Sequence, residues 1–312
     1  MTKKIIKILM LLTLSVFFLV GCSKSKTEKN NKKEDLVTVN TTKGEVKVPK
    51  NPKKVVIFDF ASLDVIDALN IDTKLALPVK NLPSSLKKYA TNATDAGEIK
   101  EPNLEKINEF APDLIIINGR QSKAYDELSK IAPTLYMDID MKNYIASVNE
   151  NSKIIGRIFG KEKEADEKIA EINKEIEEVK KITKDYNKKV LFALTNDGKI
   201  STFGPDSRFG FVFKDLGLQP VDNAVKSSIH GQDINYEYIS EKNPDVIFYV
   251  DRTKVVGGSK EGGDVLKNEL VSNTNAGKNN KIIPLDPEKW YIISGGLNTL
   301  KLQIADIKAA IQ

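Results

Sequence analysis

The chain of 312 residues predicts an α/β protein of two similar lobes with mainly parallel sheets, joined by one long α-helix. Three observations lead there. Residues 104–120 (LEKINEFAPDLIIINGR) and 236–252 (YEYISEKNPDVIFYVDR) are two copies of one unit, offset by 132 with seven identities: Glu105/Glu237, Ile107/Ile239, Glu109/Glu241, Pro112/Pro244, Asp113/Asp245, Ile115/Ile247 and Arg120/Arg252. Short apolar runs alternate with helical patterns in both halves, as parallel sheets with crossover helices require. Between the halves, residues 162–183 contain neither Gly nor Pro, and Ala165, Ile169, Ile172, Ile176, Val179 and Ile182 recur at three- and four-residue steps.

The N-terminus comes first. Lys3, Lys4 and Lys7 precede an uncharged, mostly apolar run at residues 8–20, too short to span a bilayer and right for a secretory h-region. It ends in Leu19-Val20-Gly21-Cys22, which resembles the bacterial lipobox, so residues 1–21 read as a signal peptide and Cys22 as the lipidated first residue of the mature protein. Cys22 is the only cysteine, so no intrachain disulfide is possible. Residues 22–36 read as the lipidated Cys and a flexible tether; residues 23–35, Lys, Ser, Asn and Glu-rich, lack the apolar side chains a core needs. Such a coil spans about 20 Å.

Residues 37–160 are expected to form the N-terminal lobe, with strands at 55–58, 114–117 and 134–137. Residues 161–186 form the connecting helix. Residues 187–312 form the C-terminal lobe, with strands at 190–194, 246–250 and 282–285. Pro112 and Pro244 stop the helix of each repeat, and the following Asp opens the strand. The connecting helix, at ~1.5 Å per residue, is about 33 Å long, with Glu164→Lys168 and Glu177→Lys181 pairs expected on its wet face. A heptad stripe of this length also suits a coiled coil, but the flanking α/β units favour an intramolecular strut.

Removal of residues 1–21 leaves 45 cationic against 43 acidic residues, and no basic block carries interleaved aromatics, so nucleic acid is not an expected partner. The cations are unevenly chosen: 44 are Lys and four are Arg, at 120, 157, 208 and 252. An Arg ending both repeats therefore suggests a task that Lys performs poorly. Guanidinium is planar, forked and always charged, suited to buried recognition of an anionic oxygen array. Arg208, in the turn-rich loop 202–210, is expected to line the same cleft, whereas Arg157 lies within a helical pattern and reads as structural. Trp290, the only Trp, follows a strand and Pro287 in a polar context and is expected on a cleft wall beside Tyr291. His230, the only His, sits in a polar loop, and one imidazole does not make a zinc or manganese site. Motifs of the GxSxG, HExxH and P-loop type are absent, and no enzymatic activity is expected.

With these elements assembled, the chain resembles the bacterial solute-binding lipoproteins that serve ABC importers, and among them the catecholate-siderophore binders of the enterochelin and petrobactin type. The stretches that carry the likeness are 117–120 (INGR), 201–205 (STFGP) leading to Arg208, 230–232 (HGQ) with Tyr236-Glu237-Tyr238, 243–247 (NPDVI) to Arg252, and 285–287 (LDP) to Trp290-Tyr291. The resemblance implies that Arg120, Arg208 and Arg252 form a cleft triad neutralising a ferric catecholate, and that His230 and Tyr291 complete the iron shell when the ligand offers four donors. It implies no intrinsic cofactor, Fe(III) arriving as the siderophore complex. Expected partners are an ABC permease with its ATPase, met through Glu105 and Glu237, and the membrane, through the lipid; the expected state is a monomer on the extracytoplasmic face. Since both Glu precede the helix leading into a strand, they are expected toward the strand's N-terminal side, away from the arginines. A haem or corrinoid carrier, an extracytoplasmic α/β enzyme and an adhesin are the alternatives.

Overall fold

A computed structural model describes residues 35–226, 228 and 230–312. The signal peptide, Cys22 and the tether up to residue 34 lie outside the described residues. Strands β1 (Leu36–Thr41) and β2 (Gly44–Pro49) form an antiparallel hairpin, so the tether ends by Leu36, which is already a strand residue. No helix among the described residues is long and apolar enough to cross a membrane.

The first half builds an all-parallel five-stranded sheet from β3 (Lys54–Ile57), β4 (Lys74–Leu77), β5 (Thr94–Asp95), β8 (Leu114–Ile117) and β9 (Thr134–Tyr136), in the order β5-β4-β3-β8-β9. A small antiparallel pair, β6 (Gly97–Glu98) and β7 (Glu101–Pro102), stands beside it. The second half builds a sheet from β10 (Lys189–Asn196), β11 (Lys199–Thr202), β12 (Gln219–Pro220), β13 (Gln232–Ile234), β14 (Val246–Asp251) and β15 (Ile282–Leu285). This sheet is mixed: β12, β14 and β15 extend it in parallel, but β11 runs antiparallel to β10, and β13, antiparallel to β11, runs with β10 again. The cause is local. Asp197 and Gly198 both take positive φ, 47° and 90°, giving the two-residue turn that returns β11 directly along β10.

The repeat is structural down to single hydrogen bonds. Helices Leu104–Phe110 and Tyr236–Lys242 are capped by Asn103 and Asn235, whose side chains accept from Lys106 N and Tyr238 N. Both end in a left-handed residue, Ala111 and Asn243, and the Pro follows. Asp113 then accepts the backbone N–H groups of Lys53 and Lys54 at the start of β3, and Asp245 accepts that of Lys189 at the start of β10. Each Asp thus fixes its strand beside the sheet's central strand.

Helix Glu162–Thr183 forms as expected, burying Ala165, Ile169, Ile172, Ile176 and Val179. Its partners are helices Tyr144–Phe159 and Leu297–Ile311 of the same chain. The wet face pairs Lys161 with Glu164, Lys168 with Glu171 and Glu177 with Lys180, at three-residue spacing, in place of the four-residue pairs expected. Helix Leu297–Ile311, expected with the C-terminal half, packs on helix Phe60–Ala68 of the N-terminal half. Asp64 secures that crossing by accepting Asn298 N at 2.8 Å and Thr299 Oγ1 at 2.8 Å, so a carboxylate from one half caps a helix that began in the other.

Candidate functional site

Arg120 is positioned by the turn that ends β8. Asn118 accepts Arg120 N at 3.0 Å while Gln121 reaches back to accept Asn118 N at 3.1 Å, a capping box on the short 3₁₀ turn Gly119–Ala124. Asn118 is itself fixed by donating to Asp59 Oδ1 at 2.7 Å, and Asp59 caps helix Phe60–Ala68. Arg252 follows β14 directly. Its backbone N–H continues the ladder to Thr195 O at 2.9 Å, and its Nη1 donates to Asn196 Oδ1 at 2.6 Å. Arg208 lies on the loop after β11, where Gly204 and Gly210 allow close backbone packing; a Cβ at Gly210 would collide with the Pro205 carbonyl.

All three converge on Tyr291. Arg120 Nη2 and Arg208 Nη2 donate to its main-chain carbonyl at 3.0 and 2.8 Å, and Arg252 Nε donates to its phenol oxygen at 2.7 Å. The Arg208 guanidinium also stacks on the Tyr291 ring, 4.3 Å from its centroid. Burial holds Arg120 and Arg208 below the ordinary arginine value, and each remains a cation that has given up most of its hydration. Arg208 Nε is buried with no hydrogen-bond partner. Burial also opposes ionisation of Tyr291, but the hydrogen bond from Arg252 and the charges of Arg208, Arg252 and Arg120 outweigh it, so the phenol lies below the ordinary tyrosine value.

Beside this cluster lies a cavity of about 460 Å³. Arg120, Arg252 and Tyr291 line it, together with Leu82, Pro83 and Ile99 from the first half and Val255, Val256 and Ile292 from the second. Lys80, Lys100 and Lys254 add positive charge at the edge, and Glu288 bridges the halves by accepting Ser84 N at 2.8 Å. A planar anion with apolar faces suits such a space: oxygens toward guanidinium, ring faces between aliphatic walls.

Several expected residues stand elsewhere. Arg208 is not among the residues that line the cavity; its guanidinium stacks on the Tyr291 ring. Trp290 is not a cleft wall at all: it is 0% exposed, stacked on Phe211 and close to Phe192 and Phe209, with Nε1 donating to Asp306. The reason is the π-helical turn Glu288–Ile293, which turns residue 290 inward and residue 291 toward the cavity. His230 is exposed next to Gly231, whose φ of 79° lets the chain pass the Phe203 ring, and it is not among the residues lining the cavity. Glu105 and Glu237 are exposed, but at the other end of the strands from that expected. A helix feeding a parallel strand runs antiparallel to it, so its start lies at the strand's C-terminal end. Asn103 N bonds Ala96 O and Ala96 N bonds Leu77 O, at the end of β4, and Ile234 pairs with Ile200 beside Thr195, near the end of β10. Both Glu thus share the strand ends that carry Arg120 and Arg252. Asn118, Asn196 and Glu288, which organise the site, are the residues sequence reasoning missed; Asn118 was readable as a capping box two residues before Arg120.

Residues 55–289 match the periplasmic binding protein family. The chain belongs to that family. This periplasmic binding protein is 42% identical over 306 residues to the petrobactin-binding protein YclQ of Bacillus subtilis, covering 97% of this chain and 96% of that one. It is 36% identical over 282 residues to the ferric-anguibactin-binding protein FatB of Vibrio anguillarum, covering 88% and 87%. The YclQ crystal structure superposes with a TM-score of 0.86 over 89% of this chain and 99% of that one. The catecholate-siderophore binding protein VctP of Vibrio cholerae, 33% identical, superposes with a TM-score of 0.81 over 88% and 100%.

Proposed function

We propose that this protein captures a ferric catecholate siderophore in the cavity between its two sheets and passes it to an ABC importer, without catalytic turnover, while lipidated Cys22 holds it at the outer face of the cell membrane. The observation that carries the reading is the convergence of Arg120 and Arg252, from matching strand ends of the repeat, on one cavity where both hold Tyr291, Arg120 through its carbonyl and Arg252 through its phenol. A ferric tris-catecholate bears three negative charges, and fixed guanidinium groups bind its oxygen edges without reorganising. The names of YclQ, FatB and VctP support the ligand class.

Tyr291 is the proposed protein donor to Fe(III), since a phenolate is a hard anionic ligand and its neighbours favour ionisation. His230 is proposed as the second donor for a four-donor ligand. Glu105 and Glu237 are proposed to meet the permease, and their position at the cavity end of the strands puts docking and ligand release on one face. The deciding experiment is a titration of the purified, lipid-free protein with ferric catecholates, ferric hydroxamates and haem. Tight binding confined to the catecholates is expected; preference for haem would instead establish a haem carrier.

A further inference from the structure

Trp290 does not touch the cavity, yet it immediately precedes the carbonyl that two guanidinium groups share. Its ring stacks on Phe211 with centroids 5.7 Å apart and planes at 18°, and lies 5.5 Å from Phe192. Its Nε1 donates to Asp306 Oδ2 at 2.9 Å, and Lys289 Nζ pairs with the same carboxylate at 2.9 Å. Two successive residues are therefore tied to one side chain of helix Leu297–Ile311. That helix is held at its start by Asp64 from the first half.

The backbone here needs such a fastening. Glu288–Ile293 is a π-helical turn, and it leads into three consecutive positive φ values, 46° at Ser294, 118° at Gly295 and 82° at Gly296. Isolated π turns have poorer hydrogen-bond geometry than α-helix and persist where surrounding packing fixes them. Tyr291 lies within that turn, so its carbonyl points where the turn points, and the turn depends on a pin. With it, the carbonyl accepts from Arg120 at 3.0 Å and Arg208 at 2.8 Å, which fixes the spacing of two buried cations that otherwise repel each other.

We infer that Trp290 and Asp306 are a positioning pair for ligand capture: by pinning the π turn they hold the Tyr291 carbonyl as the common acceptor that sets the separation of Arg120 and Arg208. This rests on the reading of the cavity as the ferric-catecholate site. Trp290→Phe removes the N–H together with the five-membered ring of the indole, while a six-membered ring remains against Phe211 and the fold should survive. Its affinity for a six-donor ferric tris-catecholate should fall about three- to tenfold, the scale of one buried hydrogen bond transmitted to the site. Asp306→Ala should do the same, and Asp306→Asn, which retains an acceptor oxygen, should restore most of the loss.

A merely structural pair would lower Tm and leave affinity alone. The positioning role further requires non-additivity. Arg120→Ala should cost less in the Trp290→Phe background than in the wild type, because Arg120 has already lost its alignment. Wild-type affinity in folded Trp290→Phe, or losses for Trp290→Phe and Arg120→Ala that simply multiply, would overturn the inference while leaving the cavity reading intact. If Arg120→Ala and Arg252→Ala also bind as the wild type does, the cavity reading falls as well.

Discussion

Arginine occurs four times in this chain, and three of the four meet at one residue; the fourth, Arg157, makes only a 3.4 Å surface pair with Glu150. Scarcity made these positions legible in the sequence, because in a chain that uses Lys almost everywhere an Arg marks a place where a planar, always-charged group is of use. Replacing Arg120 or Arg252 by Ala is expected to weaken ferric-catecholate binding by about 10- to 150-fold each, the worth of a charge-assisted contact. Lys at either position should recover part of it, as measured by isothermal titration calorimetry. Tyr291→Phe separates two roles of the phenol. A ligand that supplies four donors should lose affinity strongly and lose any phenolate-to-iron charge-transfer band, whereas a ligand that supplies all six should lose only the support Tyr291 gives to Arg252. Equal loss with both ligands would exclude direct coordination. Trp290 was misplaced at this scale because composition says that an aromatic residue follows a strand but not which way its side chain turns.

At the scale of elements, the repeated helix-and-strand unit was readable from seven identities, and its Asn caps and left-handed helix ends occupy equivalent positions in both copies. Less readable was the element that closes the molecule. Helix Leu297–Ile311 begins without a side-chain cap of its own and borrows Asp64, over two hundred residues earlier. Burial pushes the Asp64 carboxyl up to about 7, against hydrogen bonds from Thr299 and Asn298 that lower it. The native state therefore holds this proton more tightly than the unfolded chain, whose Asp titrates near 3.9. The stability contributed by this group is complete below the unfolded value, declines as pH rises between it and about 7, and is flat above. Tm followed by circular dichroism should accordingly fall from pH 5 to pH 8 in the wild type by more than in Asp64→Asn, which cannot titrate. Parallel curves for the two proteins would show that Asp64 titrates as in the unfolded chain.

Across the whole molecule, the two copies of the repeat place Glu105 and Glu237 at the same end as the cavity, one on each half. Reversal of either to Lys is expected to reduce siderophore-dependent iron uptake by cells, and the double reversal to abolish it, because like charges brought together at an interface cost several kcal/mol. The isolated protein should keep its ligand affinity within about twofold, since neither Glu lines the cavity and exposed charges are screened over a Debye length. Normal uptake by the double variant at matched surface levels would leave both as helix-start residues, where acidic side chains favour the helix dipole. A helix leading into a parallel strand runs back along it, and this antiparallel run, invisible in the spacing of letters, is what moved both Glu from the far side to the cavity side.

The sequence by itself determined the short apolar runs, the repeat, the connecting helix and the choice of Arg, because these are properties of residue type and local spacing. Tertiary structure alone decided that Trp290 is buried while Tyr291 is half-buried on the cavity wall, that the last helix returns to the first half, and that Arg208 stacks on the Tyr291 ring. Each depends on which groups fill the same volume from distant parts of the chain, and packing and hydrogen-bond satisfaction choose among orientations that local propensity leaves equal.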